Sequence, residues 1–231
     1  MKKKEFTVTI GDLFRCSRKF PLVTFTVAAL CIIVTLSAIF EPRLFDIFSC
    51  WLHPQYIWQY VSGAFLHGGE GYGTAFCLAH LCANLLMFVP YSIIIENLLG
   101  RKRTGIIFLI AWLGFSLSFH FIALAVSGGE PAQGAGLSGI SYCFTTIGCY
   151  ILFKLMRADR KLFRKQPLAF IFLFGLLGEL LMLNPFIAGV GSLLIHISGI
   201  LIGLLCILLF RTPIAEKLYS LPAPSTIPSA P

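Results

Sequence analysis

GLSGISYCFTTIGCYILFKL, residues 136–155, is a stretch in which the only charge, Lys154, stands near the far end. A helix that crosses the hydrocarbon core of a bilayer needs about 20 mostly apolar residues, so this stretch reads as a membrane span. It begins oddly for one, with Ser138 set between Gly136 and Gly139. Comparable apolar runs lie on either side, at about 20–40, 75–99, 104–127, 168–186 and 190–210. The last two are closely joined through Asn184-Pro185 and the segment from Gly189 to Gly191. The count is six spans, an all-α polytopic membrane protein.

Composition supports this. The chain of 231 residues is 57% hydrophobic and 12% charged, whereas soluble domains carry about 25% charged residues. The net charge of +8 does not form one basic surface, which argues against a nucleic-acid partner. The Lys and Arg residues instead cluster between apolar runs. They precede the first span (Lys2, Lys3, Lys4, Arg15, Arg18, Lys19), separate the second from the third (Arg101, Lys102, Arg103), and surround the junction of the fourth and fifth (Lys154, Arg157, Arg160, Lys161, Arg164, Lys165). Arg211 and Lys217 follow the last span, and only Arg43 falls in a loop of the other set. Lys and Arg accumulate in cytoplasmic loops, so both termini are expected in the cytoplasm.

The expected organisation is a basic cytoplasmic segment at 1–19, a six-helix membrane domain at 20–210 and a Pro-rich cytoplasmic tail at 211–231. The first run is long for a signal peptide and lacks an A-x-A site, so it is expected to stay as a span. The external connection 41–74 carries Trp51, Tyr56, Trp58 and Tyr60, aromatics suited to the headgroup level as short amphipathic helices. Eight cysteines without a CxxC pair read as small buried hydrophobes. Cys50 and Cys77 share the outer side, where a bridge is conceivable without being expected.

Polar groups at membrane depth are costly, and each is a functional candidate. They are His80 and Asn84 in span two, His120 in span three, Ser138 and Tyr142 in span four, Glu179 in span five and His196 in span six. At a rise of about 1.5 Å per residue, Asn84 stands roughly 25 Å above Arg101, Ser138 roughly 25 Å above Leu155, and His196 roughly 22 Å above Arg211. Three helices thus bring polar groups to one layer. A serine and a histidine there suffice for nucleophilic hydrolysis, the imidazole accepting the hydroxyl proton and returning it to the leaving amine. Asn84, His80 and the amide of Ser138 are candidate donors to the oxyanion. Ser138 opens its helix, beside the positive end of the dipole, and Gly136 allows a substrate backbone to come close. Ser198, Gly199 and Gly203 follow His196 as a small-residue stripe, which brings spans four and six together.

These residues resemble the rhomboid family of intramembrane serine proteases. The resemblance covers roughly 20–210 and rests on GLSG at 136–139 with Tyr142 one turn on, HLCAN at 80–84 and HISGILIGLL at 196–205, with weaker echoes in WQY at 58–60, AFLH at 64–67 and ENLLG at 96–100. It implies a six-helix rhomboid-like bundle and a Ser138–His196 dyad without an acidic third member. It places His80, Asn84 and Gly136 at the oxyanion and substrate-binding site, and stacks Tyr142 on His196. It also implies cleavage of single-span or other transmembrane proteins near the outer face, span five or the loop after it moving to admit them. The compact form resembles prokaryotic members and so implies the cell (cytoplasmic) membrane. Two departures stand out: Gln59 replaces the arginine usual after Trp58, and a glycine-rich insertion at 68–73 lengthens the entry to span two.

No cofactor is expected, and no metal, since the histidines lack a zinc-ligand pattern such as HExxH. His53 and His67 read as structural loop residues, His120 as bonded to a carbonyl or lying near the interface, and Glu96 as a structural acceptor. Tyr142 as plain packing stays open. Glu179 has three open roles: a substrate gate, a protonated group in a packed interface, or a proton carrier. Two alternative functions follow, a catalytically silent protein that binds membrane clients and a small transporter using Glu179.

Overall fold

The computed structural model describes residues 10–15, 20–69, 71–158, 160 and 170–221, without the side chains of 170, 173, 174, 187 and 188. The expectations for Lys2, Lys3, Lys4, Arg18, Lys19, Lys161, Arg164 and Lys165, and for the tail beyond Leu221, lie outside the described residues.

The chain is helical almost throughout: α1 (Leu22–Phe40), a short α2 (Arg43–Phe48), α3 (Thr74–Leu99), α4 (Arg101–Ser127), α5 (Ser138–Ala158), α6 (Phe170–Met182) and α7 (Pro185–Tyr219). Among the described residues, five helices are long and apolar enough to cross a membrane: α1, α3, α4, α5 and the part of α7 from Gly189. The run expected at 168–186 appears as α6, with 13 residues, about 20 Å of helix. Asn184-Pro185 then breaks the chain, the Asn184 side chain accepting from Phe186 N–H at 2.9 Å, and α7 bends at Gly189, where φ is 79°. Beyond the apolar run ending at Phe210, α7 continues as helix to Tyr219.

α5 is the central helix. Its spanning window is 67% buried, against 28–44% for the others. Phe144, Ile147 and Ile151 of α5 are fully buried, as are Phe88, Tyr91, Ile94 and Ile95 of α3, and the Phe88 and Phe144 rings meet edge to face at 4.9 Å. The outer helices show the reverse pattern. On α4, Leu109, Leu113, Leu117, Phe121 and Leu124 are exposed at the three- and four-residue spacing of one helix face. An apolar face without a protein partner is what lipid requires.

Two polar anchors close the end of the bundle near the start of α1. Buried Glu96 accepts from the backbone N–H groups of Val23 (3.1 Å) and Thr24 (2.9 Å) and from the Thr24 hydroxyl (2.8 Å). It thereby satisfies first-turn donors that a helix leaves open. The segment Ile10–Phe14 forms a 3-10 turn whose Leu13 and Phe14 enter the core, and Asn97 donates to the carbonyls of Asp12, Leu13 and Arg15. Part of the stretch assigned from sequence to a cytoplasmic segment is therefore packed on the bundle.

The 41–74 connection contains α2 and two 3-10 turns, Ile57–Tyr60 and Ser62–Phe65. It also supplies β1 (Cys50–Trp51), which pairs antiparallel with β2 (Gln133–Gly134), Cys50 facing Gly134. Gln59 is buried and anchors the loop: its carbonyl accepts from the N–H groups of Gln55 (2.7 Å) and Tyr56 (3.1 Å), and its amide donates to Asp46 O (2.7 Å). The departure at this position thus keeps its anchoring contacts. Among the described residues Cys50 and Cys77 are both free and buried, and burial pushes the Cys50 thiol up to about 11. In the glycine-rich insertion, Gly68 adopts φ 116° and a side chain there would strike Cys77 Sγ.

Candidate active site

The loop before α5 is fixed from three directions. The β1–β2 ladder holds Gly134, Gly136 N–H donates to Gly63 O at 2.8 Å, and Leu137 N–H donates to His67 Nε2 at 3.2 Å. His67 is fully buried, and its Nδ1 lies 3.3 Å from Thr35 Oγ1 of α1. Since Nε2 accepts, Nδ1 must carry the proton and donate to Thr35. Burial first, and then the nearby His80, hold the imidazole down to about 3, so it stays neutral and keeps its acceptor. His67 is structural, as the sequence suggests, but it is structural for the residue preceding Ser138.

Gly136 adopts φ 131°, and a Cβ there would lie 3.1–3.2 Å from His80 Cε1 and Nε2. The glycine is needed for its backbone conformation, and its absent side chain makes room for the imidazole edge. Ser141 N–H bonds back to Leu137 O at 2.9 Å. The amides of the first turn before it, Ser138 included, have no carbonyl within the helix to bond.

α5 and α7 meet at backbone level. A Cβ on Gly199 would fall 2.2 Å from Gly139 O and 2.9 Å from Tyr142 Cβ, and one on Gly203 would fall 2.8 Å from Cys143 O. This contact lays the Tyr142 ring on the His196 ring, with centroids 4.3 Å apart and planes 22° from parallel. Ser138 lies one turn before Tyr142 on the same face of α5. His196 Nδ1 is 3.1 Å from Met182 O. Ser138 and His196 are not hydrogen-bonded to each other among the described residues.

Asn84 is buried one turn below His80 and donates to His80 O at 2.9 Å. Its Oδ1, together with His80 Nδ1 and Ser141 Oγ, is buried without a partner among the described residues. Unpaired buried polar atoms are costly, and two of the three belong to the candidate oxyanion residues. A cavity of about 250 Å³ opens beside Ser138, walled by Phe115, Phe119 and Ile195. Glu179 is buried on α6, its Oε1 accepting from Thr145 Oγ1 at 2.6 Å. The His120 ring nitrogens face Ser116 O and Trp51 O, and His53 Nε2 meets Gly129 O. The described residues contain no group of three metal-binding side chains.

The helices and their lipid-facing surfaces define a multi-pass membrane protein with a serine and a histidine on two packed helices. The family model of the Rhomboid domain matches residues 54–213, and the chain belongs to the rhomboid family, whose members are generally intramembrane serine proteases acting on transmembrane substrates. No curated protein matches the chain.

Proposed function

We propose that this protein is an intramembrane serine endopeptidase with Ser138 as nucleophile and His196 as general base. Ser138 Oγ attacks the carbonyl carbon of the scissile peptide while its proton passes to His196 Nε2. The oxyanion is met by the Ser138 amide, His80 and Asn84, and Gly136 leaves the substrate backbone room. Collapse of the tetrahedral intermediate breaks the C–N bond, and His196 returns the proton to the departing amine. Water, deprotonated by the same imidazole, then hydrolyses the acyl-enzyme.

The observation that carries this reading is the Tyr142 ring stacked at 4.3 Å on His196, one turn from Ser138, within a chain of this family. The substrates are single-span or other transmembrane proteins cut near the outer face. Six spans, with α6 as the fifth, and both termini in the cytoplasm of a prokaryotic cell complete the reading.

The test is cleavage of a reporter with one spanning helix, reconstituted with the purified protein in liposomes. Wild type is expected to cut it, and Ser138→Ala and His196→Ala to lose all activity while folding normally. A fluorophosphonate probe should label wild type at Ser138. Cleavage retained by Ser138→Ala overturns the mechanism, and a folded wild type that neither cuts nor labels is a client-binding protein instead.

A further inference from the structure

We propose that the C-terminal end of α6 is the orienting third partner of His196, with the Met182 carbonyl in the place a carboxylate takes in a triad, and that Thr145 and Glu179 hold it there as positioning residues. The proposal rests on the protease reading above and gives Glu179 a role within it.

The last turn of α6 accounts for its carbonyls one by one. Glu179 O accepts from Leu183 N–H and from the Tyr142 hydroxyl, Leu180 O from Leu183 N–H, and Leu181 O from Asn184 N–H. Met182 O faces His196 Nδ1 at 3.1 Å. Helix ends leave such carbonyls unpaired within the helix, and here an imidazole on another helix takes the last one. A carbonyl can only accept, so Nδ1 must carry the ring proton and Nε2 must present its lone pair. That is the tautomer a base toward Ser138 needs, and in triads the orienting carboxylate fixes the same one.

The group is more than a passive acceptor. The C-terminus of a helix carries partial negative charge, which favours a cation beside it, and the imidazolium formed when Ser138 gives up its proton is that cation. The end of α6 is held in place by the Thr145 hydroxyl on the Glu179 carboxyl at 2.6 Å, both groups buried. The hydroxyl of Tyr142, whose ring stacks on His196, donates to Glu179 O. Base, stacking ring and carbonyl are therefore set by one turn of α6, between Glu179 and Met182.

The experiment uses the full chain in detergent with a fluorophosphonate probe. In the labelling step the Ser138 Oγ–P bond forms, the P–F bond breaks, fluoride leaves and the proton goes to His196. Thr145→Val and Glu179→Leu are expected to slow labelling about tenfold, part of the roughly 10²–10⁴-fold that a general base contributes. Thr145→Ser and Glu179→Gln keep the bond and should label within about twofold of wild type. Nitrogen-15 spectra of ring-labelled histidine, assigned by comparison with His196→Ala, are expected to show the Nδ1–H tautomer of His196 in wild type and a mixture in Thr145→Val. Wild-type spectra need no variant to fold, and an Nε2–H tautomer there overturns the proposal. So does Thr145→Val labelling at the wild-type rate with its tautomer unchanged. If wild type fails to label at all, the protease reading falls, and the spectra still decide whether Met182 holds the ring.

Discussion

α5 is joined to α7 and to α6 by two different kinds of seam. Against α7 it makes contact through absent side chains, Gly139 on Gly199 and Cys143 O on Gly203, so that two backbones touch. Against α6 it uses directed bonds, the hydroxyls of Thr145 and Tyr142 on Glu179, and α3 adds Tyr91 on Phe172 O at 2.6 Å. In lipid, no hydrophobic gain drives helices together, and association rests on close packing and interhelical hydrogen bonds. The first seam spreads its attraction over many weak contacts and gives way only as a whole. The second concentrates it in a few bonds of about 0.5–1.5 kcal/mol each, which can be released singly. The serine and the histidine sit on the first seam, while the partner that orients the histidine sits on the second.

The sharpest way to break this contrast is Gly199→Val. Its Cβ would fall on backbone rather than on a movable side chain, so the cost is expected at or above the upper end of the roughly 1–3 kcal/mol typical of overpacking, with loss of cleavage. Unfolding in mixed micelles of increasing SDS content measures it. Gly203→Ala meets Thr146 Cβ at 2.7 Å as well as Cys143 O and should cost about 1–2 kcal/mol by the same mechanism. On the other seam, Tyr91→Phe removes one bond to Phe172 O and is expected to cost about 1 kcal/mol, with α6 loosened and the α5–α7 contact intact. Limited proteolysis near residue 170 should rise in that variant and stay unchanged in Ser198→Ala. The smallest effect belongs to Ser198→Ala. Its hydroxyl donates to Ile195 O within its own helix, so stability should change by less than about 0.5 kcal/mol. A larger loss would mean that the seam needs more than its glycines.

Much of this was readable from sequence because it is local. Apolar run length marked the five helices long enough to cross a membrane. GxxxG at 199–203 announced the close approach of α5 and α7. What sequence could not show is held by backbone groups or by pairings across long separations. The Met182 carbonyl has no residue signature, because any residue at the end of α6 would present the same oxygen. His67 reaches Leu137 N–H across 70 positions, and the β1–β2 ladder is two residues long, too short for any alternation to register. Ile10, Leu13 and Phe14 did leave a hint, three apolar residues at helical spacing inside a basic stretch. The brevity of α6 was concealed by the apolar composition that continues past its end.

Glu96 has a consequence for the order in which the chain is made. The first-turn amides of α1 are satisfied by a carboxylate 72 residues downstream of Thr24. At about 5–20 residues per second, a ribosome takes between about 4 and 14 s to supply that carboxylate after Thr24 has been added. During that interval the starting turn of α1 lacks this cap, which arrives only with the far end of α3. α1 is thus completed only once α3 has been made, while α4 to α7 are still to come.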